Sequence, residues 1–223
     1  ADTFGLIVET MRRCFESLGL PEPDQAAVHG IIGLSLDRAI HQLAPTLADE
    51  ALPDAVEAYR TAFHLVRAEA HYAETLFPGA ESLLRRLSAR DDILVGMVTG
   101  KSRRGVRIIV EAHGLEGIFL AVRTADDCPS KPSPEMVLEC CSELGVDPSQ
   151  TLVVGDAIYD MQMARAAGSD AVGVSWGAGA EADLLESGAT SVAKTMDELA
   201  RFIDRWAAEK PREPAAGIVI ERV

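Results

Sequence analysis

Residues Thr151–Gly168 read TLVVGDAIYDMQMARAAG. Thr151–Val154 is a short, largely β-branched run of the kind that fills a buried strand. Gly155 ends it and lets the backbone come close to a ligand. Asp156 stands just past the strand end, and Asp160 follows four residues later. From Tyr159 to Ala167 the composition is helical. Met161, Ala164 and Ala167 recur at helical spacing, and Gly168 is placed to stop the helix. The expected unit is strand, loop, helix, with two carboxylates at its mouth. Ligands bind at the carboxyl ends of strands in open α/β sheets. Oxygen donors at that place suit Mg²⁺, a hard cation that keeps several waters and bridges to substrate phosphate. A lone Asp after a strand is more often a helix cap or a solvated residue. The pair after Gly155, beside so apolar a strand, is what makes it a candidate site.

Working outward, the flanking segments alternate strand and helix. Ile93–Val98 reads as a strand and ends at Thr99-Gly100-Lys101-Ser102. Arg103–His113 reads as a helix closed by Gly114. Ile118–Val122 is expected as a second strand. In Lys131-Pro132-Ser133-Pro134, Ser133 is expected as the N-cap and Pro134 as the first helical residue. Met136, Val137, Cys140, Cys141 and Leu144 would be that helix's buried stripe. Strands are also expected at Ala171–Val174 and Ser191–Ala193. Apolar strands alternating with helices predict a doubly wound parallel sheet, a Rossmann-like α/β core. Right-handed crossovers put the strand ends on one edge. Thr99, Lys131 and Asp156 would therefore meet there although distant in sequence.

The first part of the chain has a different texture. Helices are expected from Phe4 to Leu18, from Asp24 to about Gly30, over Leu36–Leu43, and from Pro53 to about Tyr72, with no convincing strand. Most of this part reads as an all-helical domain of antiparallel helices with short links. The expected organisation is a link over 1–4, a helical domain over 5–73, the α/β core over 74–212 and a C-terminal tail over 213–223. Within that tail Gly217–Ile220 reads as an edge strand or disordered end.

The 223 residues are 48% hydrophobic and 25% charged, which predicts a soluble globular chain with one substantial core and a smaller second domain. No apolar run approaches the ~20 residues of a membrane span, and no signal sequence opens the chain. The formal net charge of −14 argues against nucleic acid as a partner. Cys14, Cys128, Cys140 and Cys141 fit no metal spacing, which points to a reducing, cytoplasmic setting. Oligomeric state leaves no signal.

Together, Thr99, Lys131, Asp156 and Asp160 fit one chemistry. A hydroxyl and backbone amides hold phosphate oxygens, a lysine neutralises them, and carboxylates hold a metal. At this point the chain resembles the haloacid dehalogenase superfamily, and within it the phosphoglycolate-phosphatase-like branch. The resemblance rests on Val98-Thr99-Gly100-Lys101, where Gly100 replaces a frequent Asn. It rests also on Lys131-Pro132-Ser133-Pro134, and on Gly155-Asp156 through Asp160 with the Ala164–Gly168 tail. The order and spacing of the three are more specific than any one of them. The resemblance implies a Mg²⁺-dependent phosphatase acting on a small phosphorylated substrate through an aspartyl-phosphate. Thr99 would bind the transferring phosphoryl group, with Gly100 and Lys101 beside it. Lys131 would screen nucleophile and phosphate. Asp156 would ligate Mg²⁺, and Asp160 would assist directly or through a water. The helical insertion would be a cap that closes over the substrate; Arg38, His41, Arg60 and His64 are its candidate selector residues.

One family motif has no counterpart here. The resemblance implies an Asp-x-Asp-Gly-Thr at the end of a central first strand, carrying nucleophile and general acid-base. Ala1-Asp2-Thr3 resembles the residues that directly follow it. The expectation is that this strand lies upstream of Ala1. The alternatives are a non-catalytic binding or regulatory protein, and a C-terminal strand, Gly217–Val223, that fills the gap. The last is disfavoured because Glu221-Arg222 offers no paired Asp. A metal-free dehalogenase is disfavoured because it gives the Asp156 and Asp160 pair no task.

Overall fold

The computed structural model describes residues 3–69, 75–210 and 216–220. The chain divides into two compact units, Ala1–Thr75 and Leu76–Val223.

The first unit is helical throughout its described residues: α1 (Thr3–Ser17), α2 (Gln25–Gly30), α3 (Leu36–Leu43) and α4 (Leu52–Glu69). The Asp24 carboxylate caps α2 by accepting from the amides of Ala26 and Ala27. Leu6, Met11, Cys14 and Phe15 of α1 are buried, as are Ala55, Ala62 and Val66 of α4. The Cys14 thiol reaches the Ala55 carbonyl at 3.5 Å. Residues 70–74, into which the fourth helix was expected to run, lie outside the described residues.

On the surface of this unit Arg13 bonds Glu9 of its own helix at 2.7 Å and Glu69 of α4 at 2.6 Å. Arg12, and after it Arg13, hold the Glu9 carboxyl at about 2, below its ordinary 4.5. A lowered carboxylate pKa stabilises the fold above the unfolded value and loses that contribution as acid protonates it. The pair is solvent-screened, so Glu9→Gln should cost under about 1 kcal/mol at pH 7. That deficit should vanish between about pH 4.5 and 2 in urea unfolding followed by circular dichroism. A deficit that grows in acid would contradict it.

The second unit holds a six-stranded sheet. Its strands are β1 (Ile93–Val98), β2 (Ala121–Arg123), β3 (Thr151–Gly155), β4 (Asp170–Val174), β5 (Ser191–Ala193) and β6 (Ala216–Ile220). All neighbours run parallel, in the order β2-β1-β6-β3-β4-β5. The helices are α5 (Ala80–Ser88), α6 (Arg103–His113), α7 (Glu135–Leu144), α8 (Ile158–Ala167), α9 (Glu181–Glu186) and α10 (Met196–Glu209). Leu83, Leu84 and Leu87 of α5 and Leu199, Ile203 and Trp206 of α10 pack one sheet face with Val95, Val154 and Ile218. Met136, Val137 and Cys140 of α7 and Met161 and Met163 of α8 pack the other with Val153 and Val219. This is the doubly wound parallel architecture expected from the alternating strands and helices.

The structure corrects the reading of the C-terminal segment. Ala216–Ile220 is neither an edge strand nor a tail. It is the central strand, paired along its length with β1 and with β3. All five residues are buried. Five consecutive apolar residues need cover on both faces and both edges, and only an interior parallel position supplies it. Gly217 suits the slot, because a Cβ there would stand 2.8 Å from Thr151 Oγ1. The gap-filling role was disfavoured on chemistry, but burial governs where a strand lies.

Smaller shifts have local causes. The second strand begins at Ala121 rather than Ile118. Gly117 turns the chain at φ +78°, and Leu115 and Ile118 are buried by that turn. Pro134 is the N-cap of α7, one residue later than expected. Helix α10 was not foreseen, although Thr195 caps it by accepting from the Glu198 amide at 3.2 Å.

Candidate active site

The carboxyl edge of the sheet collects the residues singled out from the sequence. Thr99 directly follows β1 and is 4% exposed. Its amide donates to the Arg123 carbonyl at 3.0 Å, and its Oγ1 accepts from the Lys101 amide at 3.2 Å. Gly100 and Lys101 form the bend that leads to Ser102, which caps α6 by accepting from the Gly105 amide.

Lys131, Asp156 and Asp160 form a buried cluster. Lys131 and Asp160 are 0% exposed and Asp156 is 1% exposed. Lys131 Nζ donates to Asp160 Oδ1 at 2.6 Å. Asp160 Oδ2 accepts from the amides of Asp156 at 3.2 Å and Ala157 at 2.9 Å. Burial pushes the Asp160 carboxyl above its usual range, while the Lys131 charge pulls it back. The sequence put Asp160 at the metal, directly or through a water. In the structure its carboxylate is seated on Lys131 and on the turn that carries Asp156.

Gly155 was expected to make room for a ligand. The space its missing Cβ leaves is filled by Asp160, whose Cβ would lie 2.4 Å from a Cβ at 155. The glycine therefore serves close packing inside the motif. Asp156 is held from the other side by the loop after β4. Its Oδ2 accepts from the Ala178 amide at 2.9 Å, and its carbonyl accepts from the Gly179 amide at 2.7 Å. Sequence reasoning missed this contact from the loop over Ser175–Gly179. The available signal was two glycines within three residues after a strand.

Thr99 and Asp156 are level across the sheet. Met97 and Val154 both pair with Ile220, so the two residues lie about two strand spacings, ~10 Å, apart at the backbone. β6 runs between them. Its last described residue, Ile220, lines an apolar cavity together with Asp156, Phe77 and Trp176. Glu221–Val223 lie outside the described residues.

For Mg²⁺, the donor set fits in one form. Mg²⁺ is commonly held by one or two carboxylates, with water and substrate phosphate completing the shell. Asp156 supplies such a carboxylate. Among the described residues no group of three or more His, Cys, Asp or Glu could cage a metal, so the fit needs phosphate and water. Burial leaves the thiols of Cys14, Cys128 and Cys140 protonated and poorly suited to act as nucleophiles. Burial pushes the Cys140 thiol to about 12 and those of Cys14 and Cys128 to about 11. Arg38, His41, Arg60 and His64 are exposed on the helical unit. No helix among the described residues is long and apolar enough to cross a membrane.

Comparison with known proteins bears on the family of the chain. Residues 1–174 match the family model described as haloacid dehalogenase-like hydrolase. A probable phosphatase, IndB, of Dickeya dadantii is 35% identical over 178 residues, covering 79% of this chain and 76% of that protein. A phosphoglycolate phosphatase of Chromobacterium violaceum is 33% identical over 192 residues, covering 82% of each. Among solved structures, a hydrolase from Pseudomonas syringae superposes with a TM-score of 0.75 at 24% identity, over 92% of this chain and 93% of that one. At that identity the superposition speaks for the fold alone. The matched span and the two relatives place this chain in the haloacid dehalogenase-like hydrolase family, with phosphoglycolate phosphatases among its relatives.

Proposed function

We propose that this chain is a Mg²⁺-dependent phosphatase for a small phosphomonoester, with phosphoglycolate and sugar phosphates as the first classes to test. The observation that carries the reading is the fully buried Lys131–Asp160 pair seated against Asp156 at the carboxyl edge. A charged pair removed from water is costly, and a site built to meet an anion gives the lysine a task. The names of the Dickeya and Chromobacterium relatives point the same way.

Each residue then has a part. Thr99 Oγ1 accepts from the Lys101 amide, which aims its own O–H proton away from that amide and toward a phosphoryl oxygen. The bend at Gly100 and Lys101 brings backbone toward the same oxygens. Lys131 neutralises phosphate charge as a compact cation. Asp156 would hold Mg²⁺, which supplies charge neutralisation at the phosphoryl oxygens. Asp160 acts through Lys131 and the Asp156 turn, where both its oxygens accept bonds.

The nucleophilic Asp of the resemblance has no counterpart among the described residues. β6 pairs with β1 and β3 and brings no carboxylate through Ile220. This observation favours a second reading, in which the same edge binds phosphate and Mg²⁺ without turnover.

One experiment separates the two. The purified chain is incubated with Mg²⁺ and a phosphoester panel, free phosphate is measured, and inorganic phosphate binding is followed by calorimetry in parallel. Release that stops on chelation supports the phosphatase. Mg²⁺-dependent binding without release supports the second reading. Release that survives chelation removes the metal from the mechanism, and neither binding nor release ends both readings.

A further inference from the structure

We infer that Gly177, with the amides of Ala178 and Gly179, is the positioning element that sets the orientation of the Asp156 carboxylate. This rests on the reading above for what Asp156 does, but its geometry stands alone. Three observations converge. The Ala178 amide donates to Asp156 Oδ2 at 2.9 Å. The Gly179 amide donates to the Asp156 carbonyl at 2.7 Å. A Cβ at position 177 would lie 2.0 Å from Asp156 Oδ2, 2.1 Å from its Cβ and 2.4 Å from its Cγ. Separations under 3.0 Å force something to move.

The side chain that must move is short, and it is boxed in. Its own amide is tied to Asp160, its carbonyl to Gly179, and the residue is 1% exposed. Side-chain torsions can move the Cγ and Oδ2 of Asp156 but not its Cβ, so the backbone of the 177–179 loop or of Asp156 must also shift. The carboxylate is thereby carried off the Ala178 amide and loses the direction it holds at the sheet edge. Metal binding by one carboxylate depends on that direction, since Mg²⁺ demands near-ideal octahedral geometry. A supporting hydrogen bond that orients a metal ligand commonly accounts for a 10–100-fold effect on affinity.

The test compares wild type, Gly177→Ala, Asp156→Gly and the double variant. Calorimetry follows Mg²⁺ in the presence of inorganic phosphate, and thermal unfolding is followed by circular dichroism. We expect Gly177→Ala to weaken Mg²⁺ binding by about tenfold or more while the secondary structure persists. We expect its loss of Tm to disappear in the Asp156→Gly background, where the colliding side chain is gone. If Gly177→Ala does not fold, recovery of folding in the double variant supports the inference and its absence overturns it. A folded Gly177→Ala chain with wild-type Mg²⁺ affinity overturns it, and so does an equal Tm loss in both backgrounds. In the wild-type chain, amide exchange at Ala178 and Gly179 should be slow; exchange as fast as an open loop overturns it as well. Should wild type bind no Mg²⁺, the metal reading fails, while the thermal cycle and amide exchange still decide whether Gly177 positions Asp156.

Discussion

Val219→Asp is expected to abolish cooperative folding of the α/β unit. Val219 is fully buried at the centre of the sheet, between β1 and β3, among Met136, Val137, Cys140 and Met161. Removing the valine side chain from its site forfeits about 1.5–3 kcal/mol of burial. Placing a carboxylate there adds several kcal/mol of desolvation. The sum approaches the ~5–15 kcal/mol that holds a typical domain together. The expected readout is loss of near-ultraviolet dichroism and of a sharp thermal transition. Leu120→Asp is the control. Leu120 is 54% exposed, and the change should stay within about 0.5 kcal/mol. A chain ending at Lys210 should fail in the same way as Val219→Asp. Without β6, two strands face each other with unpaired backbone groups in the core, each costly when buried. A cooperative transition in either variant would show that β6 is dispensable and that the central pairing is wrong.

Lys131→Met is expected to cost about 3–5 kcal/mol, the usual consequence of leaving one member of a buried ion pair behind. Asp160 would keep the amides of Asp156 and Ala157 but lose its only charged hydrogen-bond donor among the contacts described above. Lys131→Met with Asp160→Asn should recover most of that loss. Asparagine removes the stranded charge and still accepts from those amides through its carbonyl oxygen. Urea unfolding of the two variants beside wild type measures the difference. Phosphate binding should not recover with stability. Loss of a charge-assisted contact of about 1.5–3 kcal/mol corresponds to roughly a ten- to hundredfold weaker phosphate affinity. A double variant as unstable as Lys131→Met would show that the lysine acts through packing. One that binds phosphate like wild type would remove Lys131 from the anion site.

The local features of this protein were legible in its sequence because they depend on neighbours in the chain. Asp24 caps α2 through amides two and three residues on. Met161, Ala164 and Ala167 face one way because a helix repeats every 3.6 residues. Thr151–Gly155 is a strand whichever partners it takes. Asp160, in the first turn of α8, likewise reaches back to the amides of Asp156 and Ala157 just ahead of the helix, a contact between near neighbours in the chain.

What each carboxylate does was another matter. Asp156 and Asp160 look equivalent on paper. They differ because Lys131, 29 residues away, reaches Asp160, and because the Ala178 amide, 22 residues away, reaches Asp156. The strand order shows the same division. Nothing in AGIVI names its partners; its neighbours begin at Ile93 and Thr151, more than sixty residues upstream. The sequence by itself determined most of the helices and strands and which of their faces are apolar, and it singled out candidate residues for the chemistry. Only the tertiary structure decided that the C-terminal strand lies at the centre, that Asp160 anchors a lysine, and that Gly177 seats Asp156. Propensities and caps act over a few bonds, whereas strand pairing and buried charge are settled by which distant segments exclude water together.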